Sequence, residues 1–118
     1  LLADGRVMVY GAMGGEGQPQ SQSAVYSRYA MFGQDLQASI TAPRWVLGRT
    51  WGEPSVELRL EDRFAPEAVA ALRKAVHKIA MQPGFTDLMG HAGAIVLHPS
   101  GLIEGANDPR CDGTAAGF

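Results

Sequence analysis

Apolar positions along this chain fall into short blocks whose spacing changes from one block to the next. Arg6–Tyr10 carries a Val/Met/Tyr run behind the turn-forming pair Asp4-Gly5, the pattern of a buried strand with a neighbour expected upstream. After a glycine-rich stretch, Pro19 suits the first turn of a helix. Ala24, Val25, Tyr29 and Phe32 then recur at near-helical spacing, with Gly33 as the C-cap. Asp35–Ile40 reads as a second short helix that stops before Pro43, because the residue preceding a proline disfavours the helical region. Arg44–Pro54 holds both tryptophans, Trp45 and Trp51, and reads as an irregular, partly buried connector. Val56–Glu61 alternates strictly and is expected to be a strand with one wet face. Ala65-Pro66-Glu67 opens a helix with proline at its first position and an acid in its first turn; Val69, Leu72 and Val76 form its apolar stripe. Gly93–Leu97 is a buried strand, turned by Pro99-Ser100-Gly101 into Leu102-Ile103-Glu104 as a hairpin. From Asn107 to Phe118 the chain is polar, glycine-containing and irregular. The order β, α, α, β, α, β, β predicts an α+β fold, with helices on one side of a mainly antiparallel sheet.

Composition narrows what such a fold serves. The chain has 118 residues, enough for one domain or part of one, and its 46% apolar content with a net charge of −2 is that of a globular protein. Its basic residues are scattered, so no stripe tracks a phosphodiester backbone and nucleic acid is not an expected partner. No apolar run approaches the roughly 20 residues that span a bilayer, and no charged segment leads into an apolar one as in a signal peptide. A membrane is therefore not an expected partner either. The single cysteine, Cys111, can form neither an internal disulfide nor a thiolate metal site. Leu1, rather than Met, at the start reads as a fragment whose beginning lies upstream.

The chemistry concentrates at Gly11-Ala12-Met13-Gly14-Gly15-Glu16-Gly17, where four glycines crowd a strand-to-helix junction. Something approaches the backbone there. A phosphate loop requires Gly-Lys-Ser/Thr, whereas Gly17 is followed by Gln18-Pro19. The dinucleotide fingerprint fits these glycines in no register, and no parallel βαβ unit is expected after them. A tight turn and an oxyanion hole both stay open. Consecutive glycines let two N–H groups converge on one anion, and a following helix adds its positive end.

Other candidates are weaker. His77, His91 and His98 show no metal-ligand spacing and read as structural; no G-x-S-x-G anchors a serine triad. Cys111, between Arg110 and Asp112, lacks the surroundings of a nucleophile. Asp108-Pro109-Arg110-Cys111-Asp112 is dense in charge and reads as a structural clasp, with Arg110 paired to Asp108 or Asp112.

The succession Gly11-x-x-Gly14-Gly15, a helix, Ala42-Pro43-Arg44, then Glu104-Gly105-Ala106-x-Asp108-Pro109-Arg110 with Asp112-Gly113, resembles the γ-glutamyltransferase family over essentially the whole chain. Residues 1–118 look like the C-terminal portion of that family's small subunit. Gly14-Gly15-Glu16-Gly17-Gln18-Pro19-Gln20 and Gly48-Arg49-Thr50-Trp51-Gly52 are closer to its bacterial amidohydrolases and acylases than to the glutathione-cleaving enzymes. The resemblance implies an N-terminal-nucleophile hydrolase fold, a four-layer αββα sandwich. In it a self-cleaved precursor exposes a threonine that attacks an amide, with its own α-amino group as base. It further implies that Gly14 and Gly15 donate the oxyanion-hole N–H groups, with no cofactor and no metal. Expected partners are the upstream part of the same precursor, which carries the nucleophile segment, and a small amide or γ-glutamyl substrate. Thr41, Thr50, Thr86 and Thr114 are internal and cannot replace the nucleophile, so the segment alone is expected to be inactive and to self-associate. The competing expectation is an inert structural or assembly module of the same fold.

Overall fold

The computed structural model describes residues 1–50, 52, 54–75 and 78–117. Trp51 of the connector, Val76 of the helix stripe, His77 and the terminal Phe118 lie outside the described residues. The elements are β1 (Val7–Met13), α1 (Gln18–Tyr26), α2 (Leu36–Thr41), β2 (Trp45–Leu47), β3 (Leu58–Glu61), α3 (Pro66–Lys74), β4 (Ile79–Gln82), β5 (His91–Leu97) and β6 (Ile103–Asn107).

They build two three-stranded sheets, β1-β5-β6 and β2-β3-β4. The first is wholly antiparallel. β1 runs against β5 from Val7↔Leu97 to Met13↔His91, and β5 against β6 from Gly93↔Asn107 to Leu97↔Ile103. The partner of β1 is therefore β5, and the Asp4-Gly5 turn only closes a small loop, in which the Leu2 N–H donates to the Arg6 carbonyl at 2.8 Å. The strand extends past Tyr10 because Gly11, Ala12 and Met13 continue the ladder opposite Gly93, Ala92 and His91.

Side-chain alternation gives this sheet two unlike faces. Ala92, Ala94, Val96 and Ala106 turn inward and are covered by Val25, Tyr29, Leu36 and Ile40 from the helical segments. Small residues on the sheet let the helices approach closely, and burying Leu36 or Ile40 contributes roughly 1.5–3 kcal/mol each. On the other face no helix lies among the described residues. Val9 is 70% exposed, Ile95 57% and Ile103 68%.

Two helices follow their sequence signals. Asp35 caps α2 by accepting the Ala38 N–H at 2.8 Å, and the helix ends at Ala42, just ahead of Pro43. Pro66 and Glu67 open α3 as expected. The first helical run differs. After α1 it widens into a π-helical turn over Ser27–Met31, with the Phe32 N–H reaching the Ser27 carbonyl at 3.0 Å. That extra residue shifts the helical phase, so Tyr29 is buried whereas Phe32 is 75% exposed. Gly33 then takes φ +66°, the left-handed C-terminal position expected of it.

The second sheet departs most from expectation. Part of the connector is a strand, β2, paired antiparallel with β3 from Trp45↔Leu60 to Leu47↔Leu58. β4, which the periodicity missed, lies parallel to β3, so β3, α3 and β4 form a βαβ unit. This unit stands apart from the glycine stretch, and Asp62-Arg63-Phe64-Ala65 leads from its first strand into its helix without a glycine. Leu58, Leu60 and Val69 form its core with Trp45, Phe64, Leu72 and Ile79 packed around them. β3 begins two residues later than predicted, and its final residue, Glu61, is completely buried despite the wet face expected of the strand.

Candidate active site

The glycine stretch ends β1 and turns into α1 through a single 3₁₀ turn, Gly15–Gly17. Gly14 takes φ +156° and Gly15 φ +53°, both costly for residues with a Cβ. The Gly17 N–H closes the turn on the Gly14 carbonyl at 3.0 Å, while the amide N–H groups of Gly14 and Gly15 have no partner among the described residues. Two free donors thus stand at the N-terminal end of a helical segment, where backbone polarity favours negative charge.

A second glycine, just ahead of β5, locks the turn. Gly90 has φ +73°, and a Cβ there would lie 2.2 Å from the Met13 carbonyl oxygen, while one on Gly14 would lie 3.1 Å from Gly90 Cα. The two backbones therefore touch, and neither segment shifts without the other. Around the turn, Glu16 takes two hydrogen bonds from Arg49, at 3.0 and 2.6 Å. Gln20 exchanges a pair with the Leu47 backbone, at 3.0 and 2.8 Å. These ties bring the Leu47–Arg49 segment over the start of α1.

Behind Gly90 lies a buried ionic cluster. Arg44, 1% exposed, donates to the carbonyls of Met89 and Gly90 at 3.2 and 3.3 Å and is paired with the Asp108 carboxylate. Asp108 in turn accepts the Ala92 N–H at 2.7 Å, and the Ser21 hydroxyl donates to the Met89 carbonyl at 2.9 Å. The segment Met89–Ala92 is thus held from both ends. Arg110 bridges Asp108, at 3.0 Å, and Glu61. Burial, and then the nearby Arg110 guanidinium, push the Arg44 pKa down to about 9, which leaves Arg44 charged at neutral pH.

The clasp expected of Arg110 is therefore real with Asp108. Asp112 is exposed and forms no ion pair among the described residues. Glu61 and Arg44, its other members, escaped the sequence reading: Glu61 looked like a solvated strand position, and Arg44 stood out only within Ala42-Pro43-Arg44. Cys111 is half-buried, its thiol donating to the Asp108 carbonyl at 3.3 Å. At the far end of the sheet, His98 Nε2 meets Glu104 Oε2 at 3.0 Å, and the Tyr29 hydroxyl donates to the same oxygen at 2.9 Å. Burial and then Glu104 raise the Tyr29 pKa, keeping the phenol protonated. His91 differs from His98: its Nε2 is shielded from solvent and has no partner among the described residues.

The α+β arrangement, with its helix-covered antiparallel sheet, is the fold of the N-terminal-nucleophile hydrolases, which include γ-glutamyltranspeptidases and acylases. A family model described as gamma-glutamyltranspeptidase matches residues 1–118, and the chain belongs to that family. It is similar to the oxamate amidohydrolase proenzyme of Klebsiella pneumoniae, at 59% identity over 117 residues, 99% of this chain and 22% of that protein. It is also similar to the glutathione hydrolase-like YwrD proenzyme of Bacillus subtilis, at 43% identity over 111 residues, 94% of this chain and 21% of that protein. Among solved structures, cephalosporin acylase from Bacillus halodurans superimposes with a TM-score of 0.79 at 31% identity, over 92% of this chain and 19% of that one. The chain thus spans 22% and 21% of the length of the curated relatives it matches.

Proposed function

We propose that this chain supplies the oxyanion hole, and the scaffold that holds it, to an N-terminal-nucleophile amidohydrolase acting on small amides. The observation that carries this reading is the Gly14-Gly15 turn: two unpartnered N–H groups at a strand-to-helix junction, fixed in place by Gly90. The identity to an oxamate amidohydrolase proenzyme favours hydrolysis of a short amide, and the small share of each relative that is matched favours a chain that works within a larger precursor.

The chemistry then runs as follows. A threonine from elsewhere in the precursor attacks the amide carbonyl through its hydroxyl oxygen, and its own α-amino group takes the hydroxyl proton. The carbonyl oxygen becomes an oxyanion and accepts hydrogen bonds from Gly14 and Gly15. Each such donor is worth roughly 3 kcal/mol in the transition state. Collapse expels the amine, which receives the proton held by the α-ammonium group, and leaves an acyl-threonine. Water attacks this ester to release the acid, or an amine attacks it to give transfer. In this arrangement the open face of the β1-β5-β6 sheet packs inside the sandwich, against the remainder of the precursor.

The test uses the full-length precursor. Mass spectrometry is expected to find cleavage ahead of a threonine, and a panel of amides to reveal turnover. Gly14→Pro removes one donor and also forces a φ near −65° on a residue that stands at +156°, so it is expected to lower kcat by at least about 10²–10³-fold. Unchanged turnover in a cleaved Gly14→Pro protein sinks the oxyanion role.

A further inference from the structure

We propose that His91 is a substrate-binding residue: its Nε2 donates a hydrogen bond to a carboxylate on the acyl part of the amide, close to the scissile carbonyl. The inference deepens the oxyanion-hole reading and rests on it. His91 starts β5 directly opposite Met13, the residue that leads into Gly14. Opposed residues of an antiparallel ladder sit about 4.5–5.5 Å apart at Cα, so the imidazole stands one residue across from the turn.

Its direction follows from alternation. Ala92, Ala94 and Val96 face the helices, which puts His91 on the open face with Met13, Val9 and Ile95. None of the strand residues on that face is acidic, and the other polar one, Asn107, spends its amide on the Asp108 carbonyl at 3.2 Å. His91 Nε2 is nevertheless buried and unpartnered, a state that proteins rarely tolerate unless a partner arrives. The backbone beneath it cannot retreat to find one. Gly90 is wedged against Met13, Arg44 holds the Gly90 carbonyl, and Asp108 holds the Ala92 N–H. A fixed donor beside a fixed oxyanion hole selects amides whose acyl group is short and anionic, with the carboxylate next to the carbonyl.

The matured full-length protein tests this with oxamate, which carries such a carboxylate, and oxamide, which is neutral. Oxalate binding, followed by calorimetry, gives a readout independent of turnover. His91→Ala is expected to raise KM for oxamate and weaken oxalate binding by about tenfold to a hundredfold, the loss of one charge-assisted hydrogen bond. kcat changes by less than about threefold, and KM for oxamide stays put. His91→Gln, which keeps an N–H donor, restores most of the affinity, and His91→Met, of similar bulk without a donor, does not. Should His91→Ala fail to mature, the Gln and Met variants decide, and equal behaviour of those two overturns the inference. So does an unchanged oxamate KM and oxalate affinity in a folded His91→Ala protein, or a wild type that neither binds oxalate nor hydrolyses oxamate. Gly14→Pro assayed on whichever amide the wild type does turn over reports separately on the oxyanion hole.

Discussion

Glu61 and Arg110, both fully buried, meet side-on: Arg110 Nε donates to Glu61 Oε1 at 2.7 Å and Arg110 Nη2 to Oε2 at 2.6 Å. The pair joins the end of β3 to the segment that follows β6, and so ties the second sheet to the first. It belongs to a cluster in which Arg28, Arg44, Arg63 and Arg110 outnumber the two carboxylates, Glu61 and Asp108. The surplus positive charge is met by backbone. Arg28 donates to the carbonyls of Ser39 and Pro43, Arg110 to those of Ile40 and Ala42, and Arg63 to that of Thr41. The carbonyls of Ser39, Ile40 and Thr41 are free ones of the last turn of α2, the pole of a helix that attracts cations, and those of Ala42 and Pro43 follow directly after it. Replacing Glu61 by Gln leaves Arg110 buried with one partner fewer in charge, and is expected to destabilise the protein by about 3–5 kcal/mol. Chemical denaturation of the full-length protein measures it. A loss well under 1 kcal/mol, the size found for surface ion pairs, would mean the cluster is wetter than its burial indicates.

Gly90 offers a sharper structural test than any glycine of the turn itself. Gly90→Ala sets a methyl against the Met13 carbonyl at a backbone angle L-residues avoid, and is expected to cost about 3 kcal/mol or more and to abolish turnover. Gly33 is the control. It also has positive φ, at +66°, but a Cβ there meets nothing within 4 Å, so Gly33→Asn is expected to fall within about 0.5 kcal/mol of wild type. Thermal melts of the two variants side by side separate close approach from backbone preference. Equal losses would show that φ alone sets the requirement at Gly90.

The Glu16–Arg49 tie gives a pH dependence whose sign is fixed. Hydrogen bonding and then the charge of Arg49 hold the Glu16 carboxyl below its ordinary range. A carboxylate depressed in the folded state stabilises it fully above the ordinary glutamate pKa of about 4.3, and this contribution fades as pH falls through the lower folded value. Both side chains are exposed, so the tie weakens with salt. Carboxyl-carbon NMR is expected to show Glu16 titrating below other exposed glutamates in wild type and rejoining them in Arg49→Met. A Glu16 titration indifferent to that replacement would exclude the tie in solution.

Local signals carried much of the fold. Proline and glycine marked the end of α2, the start of α3 and the end of the first helical run, alternation found β3, and an apolar run followed by a turn found β5 and β6. Most of what they missed depends on residues distant in sequence, and the exception is a local change of helical phase. β4 is four residues long and finds its place only beside β3 across α3. Phe32 leaves the core because a π turn shifts the helical phase. Glu61 looks solvated until Arg110, 49 positions on, reaches it. The glycine turn was legible as a place of close approach, but its own residues could not distinguish an oxyanion hole from a tight turn. Family resemblance supplied that reading. Gly90, which locks the turn from just ahead of β5, had no local signal at all.

The open face of the β1-β5-β6 sheet leads to the last prediction. Val9 stands opposite Ile95, and Val7, Leu97 and Ile103 form the next row across the three strands; Val9, Ile95 and Ile103 are more than half exposed. A contiguous apolar surface of this kind is rarely left to water, and β1 adds an unpaired strand edge beside it. The 118-residue segment expressed alone is therefore expected to self-associate, with light scattering giving a mass above that of one chain. Val9→Lys with Ile95→Lys puts two charges on the patch without touching the helix-covered core, and is expected to return the segment toward a monomer. In the larger precursor proposed above the same pair is expected to do the reverse and impair folding, because that arrangement buries the charges between layers. A monomeric wild-type segment, or a full-length double variant as stable as wild type, would show that this face is not an interior surface.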